Sequence, residues 1–297
     1  MNSMGERKLL WLGCGSLAAE FASLPERQAY TQALGVRRRP ERIAAGFEAL
    51  AADFNQPGSL APILAGGRCS HIVVSLTPGE RSDAGYQRGY VAASATIIAE
   101  LQAAGVAPER VVFVSSTSVY GQSDGEWVDE SSVAEPDGFA GQRLLEAEAL
   151  WRQSGLPVVC VRFSGIYGPG RNRLLQQVLQ GQGGVKAPPV YTNRIHQHDC
   201  ARVIAHLLAS HEVPELLIGT DSCPAPQWEV KSWLAEALGQ RLAKLPPLLA
   251  SAGPSASKRL SNKRLLAMGI ELQYPSYREG YPAIIDAFIA GGAGSGE

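Results

Sequence analysis

Lys8-Leu9-Leu10-Trp11-Leu12-Gly13-Cys14-Gly15-Ser16-Leu17-Ala18 is the stretch that decides the fold. An apolar run ends in two glycines spaced by one residue. Small residues then open a helix. A strand that turns through glycine into a helix leaves backbone N–H groups pointing outward at the helix start, and these receive the pyrophosphate of a dinucleotide. Gly13 suits the tight turn and Gly15 a close backbone approach to phosphate, with Ser16 and Leu17 opening the helix beside it. Ala18 takes the third position, where a small side chain still allows the helix to pack on the strand.

Outward from that turn, apolar runs alternate with helical patterns. Strands are predicted over 8–12, 33–37, 71–76, 111–115, 158–163 and 215–218. Helices are predicted over 16–24, 84–104, 138–153, 171–180, 197–210 and 227–237. This alternation implies an α/β fold, a Rossmann-type doubly wound parallel sheet. Val111-Val112-Phe113-Val114 is continuously apolar, as a strand covered on both faces must be. Past residue 164 the punctuation changes, with Pro246-Pro247 and Gly253-Pro254-Ser255. The expected division is a dinucleotide-binding domain over 7–165, then a segment over 166–290 that completes the core and forms a smaller, substrate-side C-terminal lobe. A flexible tail is expected over 291–297.

The end of the second strand indicates which dinucleotide. It reads Val36-Arg37-Arg38-Arg39-Pro40, with no acid where an NAD site places one for the ribose hydroxyls. Arginine forks suit a 2′-phosphate, so Arg37 and Arg38 point to NADP, with NAD as the alternative. Asp53, at the end of Ala51-Ala52-Asp53-Phe54, is placed to meet the adenine amino group or to cap a helix. Leu76 and Thr77 follow the fourth apolar strand and are expected to line the cofactor site.

Bulk properties narrow the partners. The 297 residues are 45% hydrophobic and carry a net charge of -1. No global field attracts nucleic acid or anionic lipid, and no apolar run reaches membrane-spanning length. Residues 1–8 carry no secretion signal, which makes a cytoplasmic location the expectation. The partner expected is a small-molecule substrate; a homodimer is compatible with the sequence. Cys14, Cys69, Cys160, Cys200 and Cys223 form no CxxC pair and read as buried thiols. His196 and His198 would need a further ligand to hold a metal, so no metal site is expected. Asp199 is expected to cap the helix that follows it. Glu126, Asp129 and Glu130 read as a solvated acidic loop.

Three further segments carry a family resemblance. Ser115-Ser116-Thr117-Ser118-Val119-Tyr120-Gly121, Arg162-Phe163-Ser164-Gly165-Ile166-Tyr167-Gly168-Pro169-Gly170 and Asn193-Arg194-Ile195-His196-Gln197-His198-Asp199 resemble motifs of the extended short-chain dehydrogenase/reductases, the NAD-dependent epimerase/dehydratase group. The resemblance spans roughly residues 8–290. It implies hydride exchange between a nicotinamide and a carbinol or carbonyl carbon. It also implies a Tyr-x-x-x-Lys pair on one helical face, whose tyrosine moves the proton. Ser116 matches the serine that orients the substrate oxygen.

The pair itself is missing. Counting back from Ala147-Glu148 puts Ala140 at the tyrosine position and Leu144 at the lysine position; a shift of one residue gives Phe139 and Arg143. The chain therefore resembles the atypical members of the group. The expected function is an NADP-binding oxidoreductase or epimerase-like enzyme with non-standard proton transfer. Its expected catalytic residues are Ser116 and Tyr120. Ser115 and Arg143 are expected at the cofactor, and Tyr167, Arg194 and His196 at the substrate. The alternative is a catalytically inactive NADP-binding sensor or regulatory protein.

Overall fold

The computed structural model describes residues 7–65, 67, 69–242, 245–251 and 257–293. The Gly253-Pro254-Ser255 run and the last four residues of the expected tail lie outside the described residues. Two compact units form. One comprises residues 1–120, 133–163 and 200–217, the other 121–132, 164–199 and 218–297.

The first unit is built on the sheet. Its strands are β1 (Lys8–Leu12), β2 (Gln32–Arg37), β3 (Glu48–Ala51), β4 (His71–Val74), β5 (Arg110–Ser116), β6 (Val158–Phe163) and β7 (Leu216–Gly219). They lie in the order β7-β6-β5-β4-β1-β2-β3, with parallel registers between β1 and β2, β1 and β4, β2 and β3, β4 and β5, and β5 and β6. The sheet is wound outward in both directions from the β1/β4 pair, as the alternating pattern requires. Leu10, Trp11, Ile72, Val73, Val111, Val112 and Phe113 have no exposed surface, which explains why their strands read as unbroken apolar runs. The fourth strand ends at Val74, earlier than its pattern suggests, with the Ser75 N–H still donating to the Leu12 carbonyl at 2.9 Å.

Helix α1 (Ser16–Ala22) follows β1. The single helix predicted over 84–104 has three parts: α2 (Asp83–Tyr86), a widened helical stretch over Gln87–Ala92, and α3 (Ala93–Ala103). Two glycines let the preceding loop lie directly on this helix. A Cβ at Gly85 would strike the Glu80 carbonyl, and one at Gly89 would stand 2.7 Å from Pro78 Cα. Helix α4 (Phe139–Gln153) buries Leu144, Ala147, Glu148 and Trp151. Trp151 stacks on Phe113 at 5.7 Å, and its indole N–H donates to Ser94 Oγ at 3.0 Å. Helix α5 spans Gln197–Ala209.

The second unit is assembled from short pieces. Gly165–Tyr167 pairs in parallel with Arg194–His196, and Glu126–Val128 with Lys258–Leu260. Helices α6 (Gln227–Gly239) and α7 (Tyr277–Phe288) supply Val230, Leu234, Tyr281 and Ile285 to a separate core that also contains Tyr167 and Leu175. Glu130 corrects the solvated-loop expectation. Its side chain is 4% exposed and accepts from the Ile218 N–H at 2.9 Å. Cys14, Cys69, Cys160 and Cys200 are buried and in no disulfide, and Cys223 is half-buried. No helix among the described residues is long and apolar enough to cross a membrane.

Candidate cofactor and active site

The glycine turn is held from below. Gly13 has φ +81°, and a Cβ there would collide with the Ser75 carbonyl. Only glycine satisfies both conditions at once. Ser75 Oγ accepts from the Trp11 indole N–H at 2.8 Å and donates to the Gly13 carbonyl at 3.0 Å. The N–H groups of Gly13 and Cys14 point to the Val36 carbonyl. A Cβ at Gly15 would meet only the Gly13 carbonyl, at 3.7 Å, so the surface above it is open. Helix α1 starts there with no side-chain cap and no acid in its first turn. That opening fits a pyrophosphate, which needs close backbone approach and an uncompensated helix start. Ser16 is exposed and Leu17 buried. Burial pushes the Cys14 thiol up to about 12, so it is a packing group.

The end of β2 lies beside this turn. Arg37 Nη1 donates to the Cys14 carbonyl at 3.4 Å and to the Arg42 carbonyl at 3.2 Å, laying its guanidinium along the glycine turn. Arg38 and Arg39 are exposed. Asp53 closes a local turn by accepting from the Asn55 N–H at 3.1 Å. Leu76 is buried and Thr77 exposed, directly after Ser75. Ser75 itself was not anticipated. Its one signal is a small polar residue where an apolar strand stops.

The segment after β5 separates into structural and available groups. Ser115, expected at the cofactor, instead donates its hydroxyl to Glu148 Oε1 at 2.6 Å. Glu148 is fully buried and also accepts a fork from Arg162, through Nε at 2.9 Å and Nη2 at 2.7 Å. The Arg162 guanidinium lies 4.9 Å from the centre of the Tyr120 ring. Tyr120, expected to move protons, is 2% exposed and packs into this cluster. Ser116 is half-buried at the strand end, and its Oγ accepts from the Ser118 N–H at 3.2 Å.

Helix α4 shows what stands where the tyrosine and lysine are absent. Leu144 is buried at 2% exposure. Gly141 packs so closely that a Cβ would strike the Ser118 carbonyl. Phe139 is 40% exposed, and the Tyr86 ring meets it edge-on at 5.5 Å. Arg143 is held by Asp83, at 2.7 and 3.0 Å, and by Glu146, at 2.8 and 3.0 Å. These bonds keep the Asp83 carboxyl below the usual carboxylate range.

In the second unit the expected substrate residues are brought together and buried. Tyr167 stacks on Tyr281 at 4.8 Å, meets His196 edge-on at 5.2 Å, and donates to the Ser276 carbonyl at 3.3 Å. Arg194 is 6% exposed and donates to Thr192 Oγ1 at 2.6 Å. His196 Nδ1 accepts from the His198 N–H at 3.2 Å, which puts any proton of the neutral ring on Nε2. Asp199 lies inside α5 and is not its cap. Its carboxylate accepts from the N–H groups of Gln273 and Tyr274, at 2.8 and 3.0 Å, and so anchors that loop. Asp221 is 1% exposed. Its Oδ1 accepts from the Cys223 N–H at 3.0 Å, while Oδ2 has no hydrogen-bond partner among the described residues. Burial pushes its carboxyl up to about 7, against the pull of Arg194. Among the described residues no group of three or more His, Cys, Asp or Glu is arranged to hold a metal ion.

Residues 15–211 match the NAD(P)H-binding family. The chain belongs to that family. A glycine turn at the end of the first strand of a parallel sheet is the part of such folds that takes the dinucleotide. A Methylobacillus flagellatus protein provisionally assigned as an NAD-dependent epimerase/dehydratase is 36% identical, with a TM-score of 0.76 over 96% of this chain and 99% of that one. A Silicibacter pomeroyi protein of unknown function is 29% identical, with a TM-score of 0.74 over 95% and 99%. The UDP-glucose 4-epimerase of Thermotoga maritima, solved with UDP-glucose, is 15% identical and has a TM-score of 0.78 over 96% and 99%. At that identity the likeness is one of fold. No functionally curated protein matches the chain. This NAD(P)H-binding chain is thus a member of the epimerase/dehydratase superfamily that lacks the tyrosine and lysine of its usual helix.

Proposed function

We propose that the chain is an NADP-preferring atypical short-chain dehydrogenase/reductase. It acts as an oxidoreductase or epimerase-like enzyme on a small carbonyl or hydroxyl compound. The observation that carries the preference is the end of β2. Arg37 ends the strand and Arg38 and Arg39 follow it without a carboxylate, and Arg37 lies along the glycine turn. A 2′-phosphate gains charge-assisted hydrogen bonds from such forks, whereas a ribose diol lacks its usual acceptor.

Gly13, Gly15 and the start of α1 hold the pyrophosphate, with Leu76 and Thr77 beside it. When bound, the dinucleotide supplies or accepts the hydride. Ser116, half-buried at the end of β5, orients the substrate oxygen through its hydroxyl. The proton follows a route other than the family tyrosine, because Ala140 and Leu144 carry no titratable group. Tyr167, Arg194 and His196, gathered within the second unit, are the candidate substrate residues there. The same loss of the pair favours a second reading, an NADP sensor without turnover.

Calorimetric titration with NADPH and NADH tests the cofactor assignment. Tighter binding of NADPH is expected, with the preference reduced about tenfold or more in Arg37→Ala or Arg38→Ala, the size of one or two charged hydrogen bonds. Equal binding of the two nucleotides would remove the NADP assignment. Substrate-dependent loss of NADPH absorbance across a carbonyl panel separates the enzyme from the sensor.

A further inference from the structure

The vacated position on α4 is bracketed by its two neighbours. On one side of Ala140, the Ser118 carbonyl closes on Gly141, which ties the position to the loop carrying Ser116. On the other side, Phe139 receives the edge of the Tyr86 ring at 5.5 Å with an interplanar angle of 82°. Tyr86 comes from α2. That helix is locked to α4 by the two-bond fork between Asp83 and Arg143, at 2.7 and 3.0 Å. Asp83 and Tyr86 lie three residues apart, so the fork fixes the turn that presents the phenol. The widened helical stretch begins immediately after Tyr86, at Gln87. Such stretches re-aim side chains and recur where a fold has been adapted to function.

Three phenols stand in this part of the first unit, and they differ in access. Tyr120 is 2% exposed, under Arg162. Tyr90, half-buried like Tyr86 and with its ring centroid 5.4 Å away, is far more reluctant to ionise than an ordinary tyrosine because burial disfavours its phenolate. Tyr86 is half-buried and touches Phe139, itself 40% exposed. Of the three, it combines contact with the amino end of α4 with a route to water.

We propose that Tyr86 is the proton-transfer residue of this chain, delivered from α2 to the place that Ala140 leaves empty. The assignment rests on the proposed oxidoreductase function. In the reducing direction the Tyr86 O–H bond breaks and its proton goes to the substrate carbonyl oxygen, whose carbon would take the hydride that a bound NADPH would supply. The phenolate oxygen keeps the electron pair and regains a proton from water. In the oxidising direction the phenolate accepts the hydroxyl proton, and the hydride leaving the same carbon would be the one a bound NADP+ would accept.

The test reads tyrosine ionisation by near-ultraviolet absorbance during pH titration, with and without saturating NADP+. Calorimetry on the same samples establishes nucleotide binding. A phenol beside the cationic nicotinamide ring ionises more easily, so NADP+ should lower the pKa of one tyrosine by roughly one pH unit in the wild type. The shift should vanish in Tyr86→Phe, persist in Tyr120→Phe, and be absent with NADPH, whose ring is neutral. Phenylalanine keeps the ring contact with Phe139, so Tyr86→Phe should bind NADP+ as the wild type does; that binding also shows that the variant is folded. Bound NADP+ with no tyrosine shift, or a shift that survives in Tyr86→Phe, overturns the assignment while leaving the cofactor reading intact. Failure to bind either nucleotide overturns the cofactor reading and this assignment with it.

Discussion

Two buried carboxyl groups, one in each unit, are treated in opposite ways. Glu148 in the first unit meets a hydroxyl and a complete arginine fork, so every part of its charge is answered. Asp221 in the second unit receives one backbone N–H on Oδ1 and none on Oδ2, with Arg194 acting on it only through space. Asp199 and Glu279 add repulsion to Asp221, and Tyr167 is close enough to feel its charge. A paired buried charge belongs to a finished scaffold. An incompletely answered one is a cost that folding carries, and such costs concentrate where a protein handles polar ligands.

The contrast can be broken first at Glu148. Glu148→Ala strands the Arg162 guanidinium in the core, and about 3–5 kcal/mol of stability should be lost, read as a lower urea midpoint. A loss below about 1 kcal/mol would mean that the pair is not the anchor described. The next effect is at Asp221. In the unfolded chain an aspartate titrates near about 3.9, and in the fold near about 7. Between those values the native state holds a proton that the unfolded state has released. Stability therefore falls as pH rises through that window, by roughly 4 kcal/mol, and levels off above it. In Asp221→Asn the slope between about pH 4 and 7 should flatten, as measured by denaturation at a series of pH values. An unchanged slope would show that Asp221 is ionised throughout.

Gly13→Ala forces a side chain into a left-handed backbone and against the Ser75 carbonyl. A loss of about 1–3 kcal/mol is expected, together with loss of nucleotide binding by calorimetry. The smallest effect is at Arg143. Its ion pairs with Asp83 and Glu146 are solvent-exposed, so Arg143→Ala should leave the thermal midpoint nearly unchanged. A large drop there would erase the distinction between the buried Glu148 pair and the exposed Arg143 pairs on α4.

Burial also explains what is legible in the sequence. The sheet could be read because strands such as Val111-Val112-Phe113 are buried on both faces, which forces an unbroken apolar run. The glycine turn could be read because backbone approach leaves so few alternatives to glycine. The partners of Glu148 were hidden. Arg162 lies fourteen residues away on a strand, and a charged residue in a helical pattern reads as solvent-facing. Asp199 was read as a helix cap for the same reason, since nothing local announces that residues 273 and 274 return to it. Glu130 sat in what looked like an acidic surface loop until the Ile218 N–H claimed it. The departure at Ala140 is legible as an absence; the ring of Tyr86 against the neighbouring Phe139 follows only from the packing of α2 on α4.

The hydrogen bonds from Trp11 to Ser75 and from Ser75 to Gly13 hang the turn from an indole that has no exposed surface. A loop suspended from the interior in this way has its shape before any ligand arrives. Little chain entropy is left to lose on docking, so arrival of the nucleotide should resemble a key entering a rigid lock, with fast association and a small heat-capacity change.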